Sequence, residues 1–160
     1  MFDLINGLPV HPLVVHAVVV LLPIACLGTV AIALKPAWRR PYGLVVVACG
    51  AVSVVLLPVA TSSGEALQQR VGRPGDHAEM GDQLIWFAIP LLALSVALVW
   101  LDRRQRTAAV RPPNGEAPRR SVMTVVAALA IVAALATSVQ VYRVGDSGAR
   151  AAWGERISGT

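Results

Sequence analysis

Four stretches without a single Asp, Glu, Lys or Arg, Leu13 to Leu34, Tyr42 to Thr61, Gln83 to Leu101 and Ser121 to Tyr142, dominate this 160-residue chain. Each is close to the roughly 20 residues that a helix rising about 1.5 Å per residue needs to cross a hydrocarbon core of about 30 Å. Inside such a core every backbone N–H and C=O must find its partner within the protein, which leaves helices or closed barrels. These runs lack the in/out alternation of barrel strands. The composition agrees: 56% of the residues are apolar and 14% charged, where a soluble domain carries about a quarter charged. The expected fold is all-α, an integral membrane four-helix bundle with helices over about 12–34, 42–61, 77–101 and 121–142. The chain reads as one membrane domain, 1–160, and no internal repeat is evident beyond its Ala/Val bias.

The basic residues set the expected orientation. Lys35, Arg39 and Arg40 lie between the first two runs, and Arg103, Arg104, Arg106, Arg111, Arg119 and Arg120 between the last two. Those nine positive charges mark the cytoplasmic side, so both termini are expected on the extracytoplasmic side. The sequence pI of about 10.2 is therefore a signal of topology and not of a nucleic-acid partner. The first run is not expected to be a secretory signal, because the residues before it include Asp3 and no Lys or Arg. Arg outnumbers Lys by 13 to 1, as in chains from GC-rich bacterial genomes, and a multi-pass place in the bacterial plasma membrane follows as the expectation.

The links differ in character. "KPAWRRP" is short and aromatic, so helices one and two are expected to form an antiparallel hairpin with Trp38 at the interface. The third link carries Pro112, Pro113, Gly115 and Pro118 and reads as a flexible loop. The second link mixes both charge signs. It is expected to form a short helix around Glu65 to Val71, then a turn at Arg73-Pro74-Gly75, with Asp76 and Glu79 as a capping box opening helix three near His77. The segment 143–160 is glycine-rich and is expected to be a loose extracytoplasmic tail.

Two of the chain's three histidines stand in "HPLVVH". His11 precedes Pro12, and proline suits the first helical position, so His11 is expected to set the start of the helix. At 100° per residue His11 and His16 lie about 140° apart, which is not the i, i+3 or i+4 spacing of a metal clamp on one helix. His16 lies within a membrane run, where an ionisable group usually faces the bundle interior with a partner. His77 enters helix three at a similar level, so His16 and His77 are expected to approach across the bundle. Neutral imidazoles on two helices are what axial haem ligation requires. Gly81, one turn beyond His77, would leave room for a flat macrocycle. Glu65, Arg70, Asp76 and Glu79 are the expected surrounding polar groups, for proton exchange or for a divalent cation. Pro23, Pro58 and Pro90 interrupt helices one to three, while Ala127, Ala130 and Ala134 allow helix four to pack closely. Cys26 and Cys49 read as small packing residues. No phosphate loop, nucleophile elbow or zinc-protease spacing occurs, so no catalytic residue is assigned and an enzyme is the less favoured reading.

"HPLVVHAVVVLLPIA", "ATSSGEA", "DHAEMGD" and "VYRVG" together resemble the domain-of-unknown-function 2231 family of bacterial four-helix membrane proteins. The HPxxVH entry is the most specific part. The resemblance implies a redox-associated membrane module, since the same domain occurs joined to Rieske iron–sulfur or cytochrome-like domains. It carries the family's paired entry histidines onto His11 and His16 and its later histidine onto His77. Two departures stand out: Ala17-Val18-Val19 follows His16 where relatives read Phe-Pro-Ile, and Val144 stands where many have a histidine.

The leading expectation is a redox-associated accessory subunit with a haem b or quinone pocket in its outer half, using His16, His77 and His11. A larger respiratory or other membrane complex, or a separate redox protein, would be its partner. The alternatives are a non-catalytic structural or assembly subunit and an extracytoplasmic divalent-metal binder.

Overall fold

The computed structural model describes residues 4–5, 8–71, 76–108 and 117–158, and the side-chain surroundings of 11–65, 77–107 and 121–150. The helices are α1 (Val10–Leu34), α2 (Arg39–Val71), α3 (Asp76–Ala108) and α4 (Ala117–Ser158), with a 3-10 turn over Pro36–Trp38. Ahead of α1, Leu4–Ile5 and Leu8–Pro9 pair as a two-residue antiparallel hairpin, β1 and β2. All four helices are long and apolar enough to cross a membrane. Each packs on its neighbours in the ring α1–α2–α3–α4, with α1 and α3 on one diagonal. The helices run alternately up and down. One end therefore carries His11, His77, the start of α1 and the end of α4, and is called the histidine end below. The other carries Lys35, Arg39, Arg103, Arg104 and Arg106 and is the basic end.

Three sequence expectations need correction. α1 begins at Val10, so Pro12 is its third residue and not its first; the first four N–H groups of a helix lack intrahelical partners, which makes either place tolerable. The short helix expected near Glu65 is the unbroken end of α2. The segment expected to be a loose tail is helix as far as Ser158. Gly145, Gly148 and Gly154 each cost about 1 kcal/mol against alanine, but Ala149, Arg150, Ala151 and Ala152 between them are strong helix formers. The expected turn at Arg73-Pro74-Gly75 and most of the proline-rich third link lie outside the described residues.

Polar residues close the basic end. Arg39, only 6% exposed, donates from Nε to Ile32 O (2.8 Å) and from Nη2 to Ala33 O (3.2 Å), satisfying carbonyls at the C-terminus of α1. Its Nη1 lies 3.8 Å from Asp102 Oδ1, and Arg106 Nε donates to Asp102 Oδ2 at 2.7 Å. Lys35 and Arg104 rest over the rings of Trp38 and Trp100, 4.5 and 3.8 Å from their centroids.

The core repeats itself. Six of the buried positions of α1 recur 66 residues later as buried positions of α3: Val18/Leu84, Leu22/Ala88, Ala25/Leu91, Thr29/Ser95, Ile32/Leu98 and Ala33/Val99. At a spacing of 84, Arg39/Met123, Val46/Ala130, Gly50/Ala134 and Ser53/Thr137 relate α2 to α4 in the same way. The chain is thus two helical hairpins, α1–α2 and α3–α4, related by a pseudo-two-fold axis along the bundle. On that axis the equivalent residues Thr29 and Ser95 meet, Oγ1 to Oγ at 2.7 Å. Ser95 donates its proton to Leu91 O (2.7 Å), so Thr29 supplies the hydrogen of the shared bond. This duplication is hidden in the sequence because large and small residues trade places: Leu22 pairs with Ala88 where Ala25 pairs with Leu91, which fills the layer while erasing residue identity.

Interhelical hydrogen bonds in membranes are worth about 0.6 kcal/mol on average and at most about 1.7. Ser95→Ala and Thr29→Val are each expected to lower stability by that order. The double variant should be no worse than the more harmful single one, as read by reversible unfolding in bicelles.

Candidate functional site

The histidine end contains the same arrangement twice. His11, near the start of α1, places Nδ1 2.9 Å from Ala60 O and 3.3 Å from Ser63 Oγ on α2. His77, near the start of α3, places Nδ1 3.1 Å from Val144 O and 3.2 Å from Ser147 Oγ on α4. In both, the serine also donates to the same carbonyl, Ser63 to Ala60 O at 3.0 Å and Ser147 to Val144 O at 2.9 Å. In both, a glycine follows the serine and lies against the imidazole. A Cβ added to Gly64 would stand 3.0 Å from His11 Cε1, and one added to Gly148 would stand 2.9 Å from His77 Cε1. Every part obeys the spacings of the core, 66 residues for the histidines and 84 for the Ser-Gly pairs.

The chemistry of each clasp follows from its acceptor. A carbonyl only accepts, so Nδ1 of the neutral ring carries the hydrogen and Nε2 holds the lone pair. Among the described residues, neither Nε2 has a hydrogen-bond partner. A fixed Nδ1–H with an open Nε2 is also the tautomer that ligates metals and accepts protons. His11 and His77 each stand 18 residues, five helical turns, before Thr29 and Ser95, and so share the axis-facing side of α1 and α3 with the residues that meet below them. At the histidine level, the axis-side residues Val14, Val15, Met80 and Gly81 are only half-buried, whereas Val18 and Leu84 beneath them are buried. The space beside Gly81 is open, with no atom within 4 Å of an added Cβ.

His16 is placed differently from the expectation. It is exposed on the outer face of α1, and its Nδ1 bonds to Pro12 O of its own helix. It does not face the bundle interior, and His77 is held on α4 instead of meeting it. The spacing of 66 makes His16 the counterpart of Asp82, which is also exposed. Asp82 and Asp102 bracket 19 uncharged residues, about 28 Å of helix, the thickness of a hydrocarbon core. His16 is thus the equivalent of an exposed carboxylate and not of a buried core residue.

Of the other expected site residues, Glu65 and Glu79 are exposed at the histidine end, and the side chains of Arg70 and Asp76 lie outside the described residues. Among the described residues no three His, Cys, Asp or Glu side chains gather as a metal-holding group. Cys26 is buried and Cys49 half-buried, both as free thiols. Ala130 and Ala134 are buried at the close packing of α4. Gln140, also buried, ties α4 to α3 through Met80 O at 3.1 Å.

The family model described as "Predicted membrane protein (DUF2231)" matches residues 7–160, which takes in both clasps and all four helices. The chain belongs to this family. No curated protein and no solved structure matches it. For this DUF2231 protein, the partners of the histidines were missed in the sequence, although a signal exists: of the three Ser-Gly pairs, those at 63–64 and 147–148 each follow a membrane run within about six residues.

The glycines supply a test with an internal control. Gly→Ala in a helix ordinarily gains up to about 1 kcal/mol. Gly145→Ala, with nothing near its added methyl, is expected to show that gain. Gly148→Ala pushes a methyl into the His77 ring and should instead lose about 1–3 kcal/mol, the usual range for overpacking. The loss should come with a changed ¹⁵N shift at His77 Nδ1, and should largely vanish when His77 is already alanine.

Proposed function

We propose that this small multi-pass membrane protein is a non-catalytic, redox-associated accessory subunit of a larger membrane complex, and that His11 and His77 secure its fold at one end. What supports this reading is how the chain spends its polar side chains. His11, His77, Thr29, Ser95, Gln140 and Arg39 each tie one helix to another. The redox setting rests on the resemblance to a family whose domain occurs beside iron–sulfur and cytochrome-like modules. The nine basic residues flanking the basic end support a cytoplasmic place for it, which puts the clasps on the extracytoplasmic side. Tagged at its natural level and extracted in mild detergent, the chain should migrate in a particle larger than itself. That particle should carry visible haem or iron–sulfur absorbance that the chain purified alone lacks. Migration as a colourless single chain or homodimer would refute the proposal.

A second reading, that the protein itself holds haem b or a quinone, is favoured by one observation: among the described residues neither Nε2 has a hydrogen-bond partner, and both histidines lie on the axis-facing side of their helices. It assigns the contact to His11 and His77 and removes His16 from the pair. After haem-sufficient expression, a reduced-minus-oxidised spectrum of the isolated chain should then show an α band. His11→Ala and His77→Ala should each diminish it and His16→Ala should leave it intact; equal sensitivity to all three would count against the assignment.

A further inference from the structure

The pseudo-two-fold axis makes two seams between the hairpins, α2/α3 and α4/α1, and symmetry predicts that they are alike. They are not. The α2/α3 seam carries the Arg39–Asp102 ion pair, whereas the equivalent positions at α4/α1 are Met123 and Pro36. The α2/α3 seam also contains two glycines in close approach. A Cβ on Gly43 would stand 2.7 Å from Val99 Cγ2, and one on Gly50 3.4 Å from Leu92 Cδ1. Their counterparts on α4 are Ala127 and Ala134. The chain itself joins α2 to α3 through residues 72–75, while α1 and α4 are not consecutive.

At the α1/α4 seam the buried core is apolar, with Val18, Leu22, Cys26 and Ala134 in one layer. In a bilayer that packing has no hydrophobic drive behind it, because acyl chains are as apolar as the side chains they would replace. The bond from Thr29 to Ser95 crosses the diagonal between the hairpins. It too is replaceable: Ser95 already donates to Leu91 O, and a threonine on α1 can turn to the carbonyl four residues before it, that of Ala25. Within each hairpin, by contrast, the ties are doubled. His11 and the short Pro36–Trp38 link hold α1 to α2, and His77, Thr137 (3.1 Å from Phe87 O) and Gln140 hold α3 to α4.

We propose that the two hairpins are the moving units of this protein: the bundle opens like a book, with α2/α3 as the spine and α1/α4 as the edge that parts toward lipid. Opening exposes the apolar layer of Val18, Leu22, Leu84 and Ala134 to acyl chains or to a lipid-soluble molecule, while both histidine clasps stay closed. The motion does not depend on whether either clasp binds a cofactor.

Pulsed electron-electron spin resonance on the full chain in lipid nanodiscs tests this. Labels go on lipid-facing positions in a background of Cys26→Ser and Cys49→Ala. The α1/α4 pair Val20 and Val139 should show a second, longer-distance population, and Thr29→Val should enlarge it at least twofold. The α2/α3 pair Val55 and Ile89 should show a single narrow distribution in both backgrounds. All four positions are exposed, so the labels leave the core intact. An α1/α4 distribution as narrow as the α2/α3 one, in the parent and in Thr29→Val alike, would overturn the proposal.

Discussion

The hydrogen bond between Thr29 and Ser95 organises this molecule, because it is where the chain meets its own copy. In a bilayer each helix already satisfies its backbone, and apolar side chains gain little by preferring one another to lipid. Register between helices must then come from shape and from a few polar contacts. In the closed bundle a hydroxyl pair on the pseudo-two-fold axis marks the register of α1 against α3, and the positions equivalent across that axis follow. Buried layers fall above and below it in pairs, and the imidazoles recur five turns away on the same helix faces.

The membrane architecture was legible in the sequence because its signal is carried by length and by the absence of charge, which do not depend on which residues touch. The four spans followed from that level of information, and the family from short motifs such as HPLVVH. Helix ends were less legible. Gly145 and Gly148 suggested a break after Tyr142, yet α4 continues, since the cost of two glycines is spread over a long run of good helix formers. The duplication was illegible for a different reason. Selection on packed volume alone lets leucine and alanine exchange sides, so the halves share a burial pattern without sharing a sequence.

The histidines show what spacing can and cannot decide. That His11 and His16 do not share a helix face follows from 100° per residue, and the structure has them facing apart. Which of them turns inward does not follow from spacing. His16 looked internal because it lies deeper in the apolar run, but depth along a helix says nothing about azimuth around it. Azimuth is set by Thr29, Leu22 and Val18, which face the axis together with His11. The serine and glycine that complete each clasp come from a helix distant in sequence, and only the recurrence of Ser-Gly could have pointed to them.

The two ends of the bundle differ in symmetry as well as in charge. Between the hairpins, the spacing grows from 66 to 84 residues, and the extra length lies at the basic end, within the longer α3, the third link and the start of α4. The ion pair of Arg39 and Asp102 adds to that asymmetry. A protein recognising the basic end therefore meets a surface with a single orientation. One that recognises the clasps at the opposite end meets two matching footholds half a turn apart, and gains nothing in polarity from choosing either.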